Sequence, residues 1–164
     1  MTRGDDEPGA ETAGFRMTRL FKAPRHLVFE MWTDPRLVAQ WWGVAGSTVS
    51  ACELDVRPGG RWRIDMRIAD GTVFPNGGVY LEVIPNELIV YSDVADPASP
   101  AWDGAPRGDV IHTVTFEDAA GMTKVSLESR FSSAADYERL VRSGIMNGIG
   151  QSLDRLERLL AATA

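Results

Sequence analysis

The strongest constraint on this sequence lies at its C-terminal end. Tyr137, Leu140, Val141, Ile145, Ile149, Leu153, Leu156 and Leu160 recur at spacings of three and four. That is the period of an α-helix carrying one apolar stripe. Ser132-Ser133 stands where a helix begins, and Asp136 falls in the first turn, where a negative charge complements the helix dipole. The pattern predicts one amphipathic helix of roughly 40 Å, at 1.5 Å per residue. Such a stripe needs an apolar surface to cover it.

The upstream sequence supplies that surface as strands. Residues 61–69 alternate most cleanly: Trp62, Ile64, Met66 and Ile68 on one face, Arg61, Arg63, Asp65 and Arg67 on the other. Period-two patterns also cover 14–22, 47–56, 72–84, 87–94, 109–117 and 122–131. Turn signals separate them at Arg57-Pro-Gly-Gly60, Asp70-Gly71, Pro85-Asn86-Glu87 and Glu117–Gly121. Two short helices interrupt the series after the first strand. Leu27, Val28, Met31 and Trp32 mark one; Leu37, Val38, Trp41 and Trp42 mark the other, with Asp34 as its N-cap, Pro35 at its first position and Gly43 at its end. Consecutive strands followed by a helix predict an α+β fold with an antiparallel sheet and the helices on one side.

Composition bounds the function. The chain has 164 residues and a net charge of -6. A domain of this length buries about two-thirds of its chain surface without a staple. The acidic balance argues against nucleic acid and against anionic membranes, which require a basic surface. Cys52 is the sole cysteine, so no internal disulfide or thiolate metal cluster forms, and it reads as a small apolar residue on a strand. Residues 1–13 read as a flexible acidic tail, and 14–162 as one domain. With no signal peptide and no membrane-length run, a cytoplasmic location is expected.

The sequence resembles the START-like superfamily, in the branch homologous to the activator of the heat-shock protein 90 ATPase. The likeness rests on Phe21–Phe29, Trp32-Thr-Asp-Pro35, Gln40-Trp-Trp-Gly43, Asp55–Trp62, Gly78–Pro85 and Gln151–Leu156, in family order. The resemblance implies a helix-grip fold of about six to seven strands curved around the long C-terminal helix. It also implies a cavity for apolar or amphipathic molecules. The superfamily hosts lipid carriers, hormone receptors and cyclases, so fold alone does not assign a role. The last helix reads Gly144-Ile-Met-Asn-Gly-Ile-Gly150, where many relatives carry an aromatic after the equivalent of Gly148. Co-chaperones of this type carry a separate N-terminal domain that engages the chaperone, where this sequence has a short tail.

Non-catalytic binding of a small hydrophobic or amphipathic molecule is the first expectation, with no cofactor and no metal. Each glycine inside a helix costs about 0.5–1 kcal/mol, so Gly144 and Gly148 on the apolar stripe suggest room for a ligand. The expected lining is Trp41, Trp62, Ile64, Met66, Phe74, Tyr80, Trp102, His112, Ile145, Met146 and Ile149. Trp102, in a Pro- and Gly-rich loop, is expected to lid the cavity or to join a homodimer contact. A stress-response or chaperone-contacting module is the second expectation. A cyclase, isomerase or hydrolase is the third, with His112 beside Glu82 or Asp65 as the weak candidate acid–base pair.

Overall fold

The structure, a computed structural model, describes residues 13–93, 110–142 and 144–163. Strand β1 (Ala13–Phe21) leads into α1 (Arg25–Thr33) and α2 (Pro35–Trp41). There follow β2 (Thr48–Leu54), β3 (Arg61–Arg67), β4 (Val73–Ile84), β5 (Leu88–Asp93), β6 (Val110–Ala119) and β7 (Met122–Phe131). Helices α3 (Ala134–Arg142) and α4 (Ile145–Thr163) end the chain. The seven strands form an antiparallel sheet in the order β1-β7-β6-β5-β4-β3-β2. Strands β2 to β7 pair in chain order, and β1 closes the row by pairing with β7. This is the helix-grip arrangement, a curved α+β sheet with the C-terminal helix against its concave face.

Local chemistry explains the joints. The Asp34 side chain accepts a hydrogen bond from the Arg36 backbone N–H at 2.9 Å, capping α2, with Pro35 in the first turn. The same Arg36 holds the Asp34 carboxyl below the usual carboxylate range. Ala120 and Gly121 both take positive φ, 57° and 86°, the pattern of a two-residue turn that matches strand twist.

One face of the sheet holds the core. Phe21, Val28, Met31, Ile89, Val114, Phe116 and Leu156 are fully enclosed. Each such side chain contributes about 1.5–3 kcal/mol by leaving water. His112 lies on the same face as Val110, Val114 and Phe116, as the strand period predicts. Arg19 of β1 reaches the C-terminal helix and bonds Asp154 at 2.6 Å.

The single 40 Å helix is corrected. The stripe divides into α3 and α4, and α4 alone is the long helix. Gly144 stands at the junction with φ +93°, a left-handed conformation that glycine adopts at little cost. Its N–H bonds Val141 O at 3.1 Å, and its carbonyl receives the Gly148 N–H at 2.9 Å. The apolar spacing in the sequence runs through this break, so periodicity alone does not reveal it.

Candidate ligand-binding cavity

A cavity of about 310 Å³ lies between α4 and the concave face. Its helical wall comes from Leu140, Gly144, Ile145, Gly148, Ile149, Ser152 and Leu153. Trp32, Trp41, Trp42, Gly43 and Val44 form the roof, and the floor is Trp62, Met66, Asn76, Tyr91, Asp93, His112 and Leu127. A volume of this size falls at the small end of the range that holds drug-sized molecules, about 300–1,000 Å³.

The roof is clamped to the helix by two sequence motifs about a hundred residues apart. Ser152 Oγ accepts from Gly43 N–H at 2.9 Å and donates to Gly43 O at 2.8 Å. Gln151 Oε1 accepts from Ala45 N–H at 2.9 Å, and Arg155 donates to Ser47 O at 2.6 Å. Gln40–Gly43 and Gln151–Leu156, each part of the family likeness, therefore meet at this joint. The clamp fixes Trp42 and Val44 over the cavity.

The aromatic walls are anchored from behind. Trp41 donates its indole N–H to Met31 O at 2.8 Å, and Trp62 donates to Ser92 O at 2.8 Å. The second bond requires Gly78, where a Cβ would collide with the Ser92 carbonyl and approach the Trp62 indole nitrogen at 2.9 Å. Both indole donors are thus satisfied within the protein. Trp62 meets Tyr91 edge-on with centroids 5.5 Å apart, and Tyr91 lies 4.9 Å from the His112 ring.

One part of the wall is polar. Cross-strand register sets Tyr91 beside His112 and His112 beside Ser129. His112 Nδ1 lies 2.7 Å from Ser129 Oγ, and His112 Nε2 lies 3.5 Å from Asp93 Oδ2. Burial, reinforced by the Asp93 charge, pushes the Tyr91 phenol far above its usual range, so it stays neutral. A serine, histidine and aspartate in line resemble a hydrolytic triad. Here the serine is fully enclosed and does not line the cavity, so it orients the imidazole rather than attacking a substrate. Chemically, His112 Nε2 and the Asp93 carboxylate offer a donor and an acceptor to the space in front of them.

Of the residues expected to line a site, Trp41, Trp62, Met66, His112, Ile145 and Ile149 do so. Others do not. Ile64 is buried in the core, and Met146 is 37% exposed. Phe74, opposite Met66 in register, lies outside the lining. Tyr80 borders a separate recess of about 30 Å³ behind the tryptophans, where burial raises its phenol well above the usual range. Trp102 lies outside the described residues.

The expected acid–base pairings are corrected. Glu82 is exposed on β4, two places along the sheet from His112 on β6, and Asp65 binds Arg63 at 3.0 Å on β3, three places along. Asp93 is the carboxylate that meets His112. It was discoverable from period two, because Ile89, Tyr91 and Asp93 share one face of β5. Only strand pairing, however, puts them next to β6. Among the described residues no group of three or more His, Cys, Asp or Glu side chains could hold a metal. No helix among them is long and apolar enough to cross a membrane.

A family model described as Activator of Hsp90 ATPase homolog 1-like protein matches residues 22–161. A crystal structure of a Nitrosomonas europaea protein superposes with a TM-score of 0.81 at 22% identity, over 94% of this chain and 97% of that one. A Chromobacterium violaceum protein is 29% identical, with a TM-score of 0.71, over 91% and 96% of the two chains. An AHSA1 protein from Silicibacter pomeroyi is 23% identical, with a TM-score of 0.77, over 93% and 100%. At 22% and 23% identity, likeness speaks to the fold alone. No curated protein matches the sequence.

Proposed function

Since the chain belongs to the Activator of Hsp90 ATPase homolog 1-like family, whose START-like fold leaves space between helix and sheet, we propose that it binds a small amphipathic molecule there without transforming it. The observation that carries this reading is the cavity of about 310 Å³, walled by aromatic and aliphatic side chains with a few polar groups on one wall. Such a composition, mostly apolar with few convergent polar groups, is that of ligand pockets in general. Catalysis is less well supported, because the serine beside His112 is enclosed.

The test is a thermal-shift and native mass-spectrometry screen of lipids, polyketides and aromatic compounds. A ligand at a hundred times its Kd stabilises the folded chain by about 2.7 kcal/mol. Ile149→Trp, which puts bulk into the cavity, should remove that shift while the unliganded protein still melts cooperatively. A shift that survives the substitution, or no shift from any class, rejects the reading.

The family description itself favours a second role, contact with an Hsp90-type chaperone. Stimulation of the chaperone ATPase by this protein would support it. No stimulation at saturating protein rejects it.

A further inference from the structure

We propose that the cavity selects neutral molecules whose apolar body ends in a hydroxyl, held between His112 and Asp93, and that it rejects the matching carboxylates. This inference rests on the cavity-binding reading above and names the chemistry of the polar end.

The His112 side chain is 7% exposed, and its two nitrogens face different partners. Nδ1 is occupied by Ser129 Oγ at 2.7 Å. Nε2 looks toward Asp93 Oδ2 at 3.5 Å, longer than an N–H···O hydrogen bond prefers. Both groups line the cavity. An ionised carboxylate only accepts, so the neutral tautomer that suits this setting carries its proton on Nε2 and accepts at Nδ1 from the Ser129 hydroxyl. The pair then presents an under-used donor and an under-used acceptor side by side. A hydroxyl answers both, accepting from Nε2–H and donating to Asp93.

Charge excludes the alternatives. No lysine or arginine is among the described residues that line the cavity. The nearby Arg155 spends its guanidinium on the carbonyls of Trp42, Gly43 and Ser47. Among the described residues a ligand carboxylate would therefore face Asp93 without a compensating cation. Protonated His112 does not change this, because its charge is already matched by Asp93. An ammonium would suit Asp93 but carries only donors, so it cannot accept from Nε2–H as a hydroxyl does.

The experiment compares four probes of one body on the full chain by isothermal titration: para-butylphenol, para-butylbenzoate, para-butylbenzylamine and butylbenzene. The phenol is expected to bind at least about tenfold more tightly than each of the others. Asp93→Asn keeps the side-chain shape and removes the charge. It should admit the benzoate and cut the phenol-to-benzoate ratio by about tenfold. Equal binding of phenol and butylbenzene, or a benzoate or benzylamine that matches the phenol, overturns the anchor while leaving the cavity reading intact. If none of the four binds, the hydroxyl anchor is overturned, and the broader ligand screen decides the cavity reading separately. The four-probe ranking on the unaltered chain decides the question even if Asp93→Asn does not fold.

Discussion

The two halves of α4 lie against the same sheet and do opposite things. Toward its C-terminal end, Leu156 and Leu160 are buried in the core cluster that also holds Phe21, Met31 and Phe116, and neither borders the cavity. Toward its N-terminal end, Ile145, Gly148 and Ile149 are half-buried and border the cavity. The sequence pattern is the same on both halves, an apolar residue every three or four. The difference comes from what faces them. The core cluster that holds the closed half includes large side chains of β1, α1 and β6. Opposite the open half are Trp41 and Trp62, pinned back by hydrogen bonds to Met31 and Ser92, and the Tyr91 ring that meets Trp62 edge-on. One half stabilises the fold, and the other keeps space that the first half makes affordable.

The sharpest way to break that contrast is to shorten one side chain in each half. Leu156→Ala should cost about 2–5 kcal/mol, because it opens a void in a packed site. Ile149→Ala should cost about 1–2 kcal/mol, because part of that side chain already borders empty space. Urea denaturation of both variants reads the difference, and equal losses would dissolve the distinction between the halves.

The glycine before the open half and the one within it sharpen it further. Gly144→Ala should destabilise by about 1–2 kcal/mol, since alanine resists the left-handed conformation, and nothing lies near enough to clash. Gly148→Ala should be close to neutral. Alanine favours the helix by about 0.5–1 kcal/mol, but its Cβ would stand 3.1 Å from Val44 Cγ1. Thermal melts that rank the two substitutions the other way would show that Gly148, not Gly144, is conformationally required.

The smallest effect concerns Cys52, half-buried on β2. Burial pushes its thiol up to about 11 from an ordinary value of 9.0. Its neutral form is favoured in the folded chain, so the associated stability is present below pH 9 and is lost as pH rises toward 11. Alkylation by iodoacetamide at pH 8 should be much slower in the folded protein than in urea. Equal rates would show a thiolate already present.

Much of the architecture was legible. The strands, the two short helices and the Asp34-Pro35 cap follow from period, capping residues and turn residues, all of which act over a few positions. The break at Gly144 was not, because a glycine on an apolar stripe fits both a continuous helix and a left-handed joint. The candidate site was legible only in part. Trp41, Trp62, Met66, His112, Ile145 and Ile149 reach the cavity as their strand or helix faces imply. Ile64 shares the face of Trp62 and Met66, yet packs into the core. Phe74 falls opposite Met66 yet stays outside the lining.

The sequence by itself determined which residues face inward, since side-chain direction alternates in a strand and repeats along a helix. It also determined an antiparallel sheet built from consecutive strands, with a helix to cover it. Only the tertiary structure decided which inward residues touch one another and which face a gap. Asp93 meets His112, and Glu82 and Asp65 do not, because strand register brings together residues remote in the chain. The opening at the N-terminal half of α4 was likewise decided there, because a helix of uniform pattern packs tightly or stands off according to the side chains and the clamped loop opposite it.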